Sequence, residues 1–194
     1  MTPQLADQTE LASNFTVADY KTARSTQDRA TIAEALHRRF TERYIDPVTP
    51  APGKEMHGFT IMAISCLMIE SLESFVQGWE NSSSKSEAAF CYFFDSRPQF
   101  SIFRGHFARF YKNVRCGILH QAETTGGWKI TRKKNAPLFD AAPASLTINA
   151  TLFLENLVAV LDGFRDNLKI VEWNSTEWKN VRKKMKALCD NCQP

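Results

Sequence analysis

The sequence predicts an all-α protein: a helical bundle of about five to six helices with a small β-hairpin or irregular insertion near residues 128–148. Three observations lead there. Apolar residues recur three and four apart in several separate stretches, which is one face of a helix. Each stretch ends at a cluster of Pro, Gly or small polar residues. Only around Trp128–Thr131 and Leu146–Ile148 does a short β-branched pattern replace the helical one. At 194 residues, 43% apolar and 23% charged, the chain has the size and composition of one domain with a real core.

Taken in order, residues 1–24 are polar and lack sustained periodicity, which predicts a flexible N-terminal arm ahead of a single domain over 25–190. Ser25, Thr26, Gln27 and Asp28 read as a capping box, a hydroxyl and a carboxylate three residues apart satisfying free backbone donors. Ile32, Leu36, Phe40 and Tyr44 follow on one helix face, stopped by Pro47, Pro50, Pro52 and Gly53. A second helix is predicted over 57–79, apolar nearly all round in its first half and so the most buried element. A loop at 81–86 caps a short third helix over 88–95. Pro98 separates this from a fourth over 100–122, which stops at Thr124-Thr125-Gly126-Gly127. After the insertion, Asn149 caps a fifth helix reaching Lys169, with Phe153, Leu157, Leu161, Phe164 and Leu168 on one stripe. Ser175 or Thr176 starts a last helix carrying Trp178, Val181, Met185 and Leu188.

Several chemistries are set aside by what the sequence lacks. It has no Gly-rich phosphate loop with its Lys, no dinucleotide fingerprint and no zincin helix. Cys189 and Cys192 supply two thiolates where a structural zinc site takes four ligands, so no metal and no cofactor are expected. The five cysteines, an odd number without framework spacing, imply a reduced compartment. The first 23 residues lack the basic-then-apolar pattern of a signal peptide. The longest apolar stretch, 59–69, falls short of the ~20 residues that span a bilayer. A cytoplasmic protein without membrane contact is expected. The net charge of +3 is too small to imply nucleic acid by itself.

The fourth helix is the informative one. Stepping ~100° per residue from Val114, Phe103, Phe107, Phe110, Val114 and Ile118 form a core stripe. Arg104 and Arg115 lie on one shoulder; His106, Arg109, Asn113 and His120 lie on the other. Arg115 and His120, five residues apart, point ~140° from each other on a regular helix. A single regular helix cannot aim both at one phosphate. Either the helix loosens near Gly117, or a working site draws on two copies of the chain.

The stretch from Phe110 to Glu123, with Arg115-Cys116-Gly117-Ile118-Leu119-His120 at its centre, resembles the signature of the HEPN superfamily (higher eukaryotes and prokaryotes nucleotide-binding): an Arg, four to six residues, then a His, late in a helical bundle. The resemblance implies a homodimeric, metal-independent endoribonuclease of phage defence or of a toxin–antitoxin system, with RNA as substrate and a cognate antitoxin as a further partner. Arg and His of two subunits would converge in a cleft. The residue after the Arg, commonly polar in the family, is Cys116 here. The other reading it leaves open is a non-catalytic module binding nucleotide, RNA or a protein partner.

The chemistry needs few parts. A His can take the proton of a ribose 2′-OH and return one to the leaving 5′-oxygen. An Arg can hold the phosphate and stabilise its extra charge, giving a 2′,3′-cyclic phosphate. His120 and Arg115 fill these roles. Asn113 and Tyr111 are candidates for orienting substrate, and the carboxylates of Glu70 and Glu73 sit where they can support the site. Lys129, Arg132, Lys133 and Lys134 can follow a phosphate backbone; Trp128 beside them could stack on a base, but packing back onto the bundle is the favoured reading. A second basic cluster, Lys179, Arg182, Lys183, Lys184 and Lys186, reads as a solvated helix face.

Overall fold

In the computed structural model, residues 6–49, 57–142 and 145–192 are described. They are mostly helical, with eight α-helices, π and 3-10 turns between some of them, and two small sheets of two and three strands. The helices outnumber the five to six expected because one forms in the predicted arm and the fourth predicted helix is divided. Pro50, Pro52 and Gly53, read as stops in the sequence, lie outside the described residues. The chain divides into two compact units, one built from 1–43, 71–82 and 161–194, the other from 44–70 and 83–160. The sequence predicts one domain over 25–190.

The first unit begins where the sequence predicts a loose arm, and the structure corrects that expectation. Strands β1 (Glu10–Ala12) and β2 (Phe15–Thr16) pair antiparallel and lead straight into α1 (Val17–Ser25). Leu11, Phe15, Val17, Tyr20 and Ala23 are buried. The short apolar alternation was too brief to read as periodic, yet three arginine-length arms fix it. Arg38 donates to the Ser13 carbonyl (2.7 Å), Arg39 and Arg43 donate to that of Leu11, and the Glu42 carboxylate accepts from the Ser13 amide. The capping box belongs to Thr16 and Asp19 rather than to Ser25 and Asp28. Asp28 alone caps α2 (Arg29–Phe40), accepting from the Thr31 amide. In the last helix, α8 (Thr176–Asp190), Ser175 is the cap, and Trp178, Val181 and Met185 are buried. The Trp178 indole donates to the Leu168 carbonyl at 2.9 Å, and Phe40 meets Phe75 edge-on at 5.7 Å.

Beyond α2 the helix widens into a π turn, Thr41–Ile45. One extra residue enters the turn, so the four-residue stripe Ile32, Leu36, Phe40 ends on buried Ile45, with Tyr44 left half-exposed. The sequence stripe placed Tyr44 there.

The long α3 (Gly58–Val76) is apolar enough by length and composition to cross a membrane, and more than half of it is buried inside the protein. In the second unit it is followed by α4 (Ser86–Ser96), a 3-10 turn (Pro98–Phe103), α5 (Phe107–Phe110), a π turn (Tyr111–Arg115) and α6 (Cys116–Gln121). The fourth predicted helix is thus four segments, broken first at Gly105, whose φ of +82° suits glycine. The core of this unit is aromatic. Phe110 alone has the rings of Phe90, Phe94, Phe103, Trp128 and Phe153 within 5.8 Å.

The expected hairpin is a three-stranded sheet, ordered β3 (Trp128–Thr131), β5 (Ser145–Asn149), β4 (Phe139–Ala142). β3 runs parallel to β5, Trp128 opposite Leu146 and Ile130 opposite Ile148, while β4 and β5 are antiparallel. The sequence missed β4 because Phe139-Asp140-Ala141-Ala142 has weak strand propensity. Asn149 then caps α7 (Ala150–Ile170), as expected, but does more than cap. Its Oδ1 accepts from the amides of Thr151 and Leu152 (3.1 and 3.3 Å) and its Nδ2 donates to the carbonyls of Lys133 and Ala136 (3.1 and 2.9 Å).

Two expectations follow. Asn149→Ala removes a cap and leaves two carbonyls short of a donor in a buried place, so it should cost about 2–3 kcal/mol in urea unfolding; a loss under ~0.5 kcal/mol would refute the four-bond role. Tyr20 is buried with its hydroxyl unpartnered among the described residues, and burial pushes its phenol up to about 12. The neutral form is therefore the folded one. Its contribution is complete below the unfolded value near 10 and is lost as pH climbs toward 12. Tyr20→Phe should leave stability at pH 7 unchanged or raised and should lessen the loss on going from pH 10 to 12, read by thermal melts across that range.

Candidate functional site

Arg115 ends the π turn, and that turn decides where it points. An i→i+5 pair winds one extra residue into the helix, setting everything after it back by ~100°. Arg115 therefore stands ~40° from the direction of Phe110, where an unbroken helix would place it ~140° away. It is drawn inward onto α3. Its Nε donates to Oε1 of Glu70 at 2.7 Å, and the side chains are only 16% and 8% exposed. The guanidinium also lies 5.6 Å from the centre of the Tyr111 ring. Burial works against the Arg115 charge, but the hydrogen bond and attraction of Glu70 outweigh it and hold the pKa above its ordinary value.

The same setback turns His120 outward. Ten residues after Phe110, it comes to the opposite side of the helix; it is exposed, with no hydrogen-bond or ion-pair partner among the described residues. From Cys116 to Gln121 the backbone is regular α-helix, so the loosening lies before Arg115 and not near Gly117 as one alternative had it. Guanidinium and imidazole leave one chain ~140° apart. Of the expected core stripe, Phe103, Phe110 and Val114 are buried, while Phe107 and Ile118 are half-exposed.

The remaining site residues divide. Asn113 is engaged within the chain: Nδ2 donates to the Arg109 carbonyl (2.9 Å), and Oδ1 and the backbone carbonyl accept from the hydroxyl and amide of Thr125 (both 2.9 Å). Tyr111 is half-buried, and burial with the neighbouring Cys116 thiol raises its phenol. Lys129, Lys133 and Lys134 are exposed; Arg132 is half-buried, its Nε donating to the Thr151 hydroxyl at 3.1 Å. Trp128 is 3% exposed, stacked on Phe139 at 5.4 Å, so it packs into the core and offers no face to a base. In the second basic cluster, Arg182 covers Trp173 (4.5 Å), Lys184 donates to the Glu80 carbonyl and Lys186 pairs with Asp190, leaving Lys179 and Lys183 exposed. The unit that carries Arg115 has eleven Lys and Arg against eight Asp and Glu, and the other has thirteen of each, so the net charge of +3 belongs wholly to the former.

No group of three or more His, Cys, Asp or Glu among the described residues is placed to hold a metal. Burial pushes the Cys189 thiol up to about 11, and Cys192 donates to the Leu188 carbonyl. Sequence reasoning noticed Glu70 and Glu73 without separating them. Glu70 meets Arg115, whereas Glu73 accepts from Gln77, just past the end of its helix (3.2 Å). It read Thr125 only as part of the stop at Thr124-Thr125-Gly126-Gly127 and not as the partner of Asn113. No family model, curated protein or solved structure matches the chain.

Removing either member of the covered ion pair leaves the other charge buried without its counter-charge. Glu70→Ala and Arg115→Ala should each cost about 3 kcal/mol, and the double variant should cost 1–3 kcal/mol less than their sum, measured by urea unfolding. Additive losses would mean that the two groups do not depend on each other.

Proposed function

We propose that the chain is a metal-independent endoribonuclease of HEPN type, in which His120 moves the protons and Arg115 binds the scissile phosphate, two copies of the chain supplying one of each to a shared cleft. One observation carries the reading: Arg115 is drawn onto a buried carboxylate that keeps it charged and fixed, while His120, five residues on, faces outward and unpartnered. An outward imidazole can meet only another molecule. A guanidinium fixed by Nε still has its terminal nitrogens for a phosphate. The unpaired positive charge of this unit, with Lys129, Lys133 and Lys134 exposed, suits a polyanionic substrate.

In the reaction, His120 of one copy takes the 2′-OH proton as the oxygen attacks phosphorus, forming the cyclic phosphate. The proton for the departing 5′-oxygen comes from the imidazolium of a His120, and Arg115 stabilises the charge that builds on the non-bridging oxygens. A second reading, a module that binds RNA or nucleotide without cutting it, is favoured by how little of Arg115 is exposed.

Purified chain should cut an RNA oligonucleotide in EDTA and leave a 2′,3′-cyclic end, and His120→Ala should lower the rate at least ~100-fold with the fold intact. Cutting that survives His120→Ala would overturn the assignment. Salt-sensitive binding without cleavage would establish the second reading instead.

A further inference from the structure

We infer that Asn113 is a positioning residue for His120, part of a clasp that closes behind the short helix α6, and not a substrate contact. The inference rests on the ribonuclease reading above for its consequence, but its geometry stands by itself. α6 is the last stretch of a helical run that begins at Phe107, and of its six residues only Gly117 is buried, so packing onto the core does little to hold it. Its start is fixed by Arg115 on Glu70. Its end turns sharply at Ala122, which takes the left-handed φ of 55°, and the chain folds back along the helix.

Two contacts hold that return. Gly117 faces it so closely that a Cβ there would stand 2.5 Å from the Glu123 carbonyl oxygen. Asn113 then closes it from the π turn, with its backbone carbonyl and Oδ1 both accepting from Thr125. Asn113 is itself oriented by its amide, which donates to the Arg109 carbonyl in the stretch where α pairing gives way to the wider turn. Gly126, at φ +60°, lies against the same side chain; a Cβ there would stand 2.6 Å from Oδ1. Both polar ends of Asn113 are thus committed inside the chain. The direction in which His120 leaves α6 is set by a ring of contacts through residues 109, 113, 117 and 125.

The test combines RNA cleavage with the NMR signal of the His120 imidazole Cε1–H in the full chain. Asn113→Ala and Thr125→Val should each lower kcat about tenfold to a hundredfold with KM for an RNA oligonucleotide nearly unchanged, because a misplaced general base costs rate and not binding. Each should move the His120 signal, the double variant should be no worse than the worse single, and Thr125→Ser, which keeps the hydroxyl, should restore both readouts. A raised KM in Asn113→Ala with Thr125→Val silent would make Asn113 a substrate contact and overturn the inference. So would a lowered melting temperature with kcat and the imidazole signal unmoved. If Asn113→Ala does not fold, Thr125→Val, which loses one hydroxyl, decides by the same measurements. If the wild-type chain cuts no RNA, the ribonuclease reading fails, and the imidazole signal alone still decides the clasp.

Discussion

The single extra residue wound into the turn Tyr111–Arg115 is the constraint on which the candidate site depends. A π turn is less well packed than an α turn and persists where its surroundings reward it. Here the reward is on both sides. Phe110 enters the turn anchored among five aromatic rings, and Arg115 leaves it against Glu70. Were the segment an unbroken α-helix, Phe110 could keep its place only with Arg115 swung out to solvent, or Arg115 its partner only with Phe110 pulled from the core. The expanded turn satisfies both, and the carbonyl of Arg109 at its edge receives the Asn113 amide.

The ion pair repays that distortion only because it is nearly covered. A carboxylate on a helix as apolar as α3 loses several kcal/mol of hydration on burial, and the hydrogen-bonded guanidinium helps to offset the loss. Arginine suits the place better than lysine. Its planar fork can give Nε to Glu70, lie near the face of Tyr111 and still present its outer nitrogens. A buried pair of this kind is weak evidence for stability as such, since a well-packed apolar pair would serve as well. Its retention makes more sense if the charge itself is wanted at that position.

This also explains what was legible in the sequence and what was not. Phe153, Leu157, Leu161 and Leu168 announced α7, and Asn149 its start, because spacing and capping are local signals. Trp178, Val181 and Met185 did the same for α8. The arm over residues 10–25 was illegible because its order comes from arginines 25 and more positions away, whose bonds to the Leu11 and Ser13 carbonyls leave no mark on local periodicity. The parallel pairing of β3 with β5 was hidden for a similar reason: Phe139 to Ala142 joins the sheet through register with β5, not through its own propensity. For the candidate site, the 140° argument survived because the helix between Arg115 and His120 is regular. Its absolute direction did not, since nothing in Tyr111-Lys112-Asn113-Val114 announces a wider turn. Two carboxylates on an apolar helix were the one visible hint of a buried partner, and only the fold could choose Glu70.

The same setback gives Arg115 and His120 opposite fates, and that opposition bears on how a site can be assembled. Arg115 is tied inward on rigid ground, so it can contribute a fixed charge but cannot travel. His120 stands on the last stretch of the helical run from Phe107, held at Arg115 and at the return after Ala122, with its own side chain meeting no hydrogen-bond or ion-pair partner among the described residues. Bringing them together in one chain would require unwinding α6, which would break the Glu70 pair at one end and the Asn113–Thr125 contacts at the other. The two-copy arrangement proposed above asks for no such unwinding. One route dismantles the contacts that place Arg115 and His120 and the other leaves them intact, which is why the proposed site draws one residue from each of two copies.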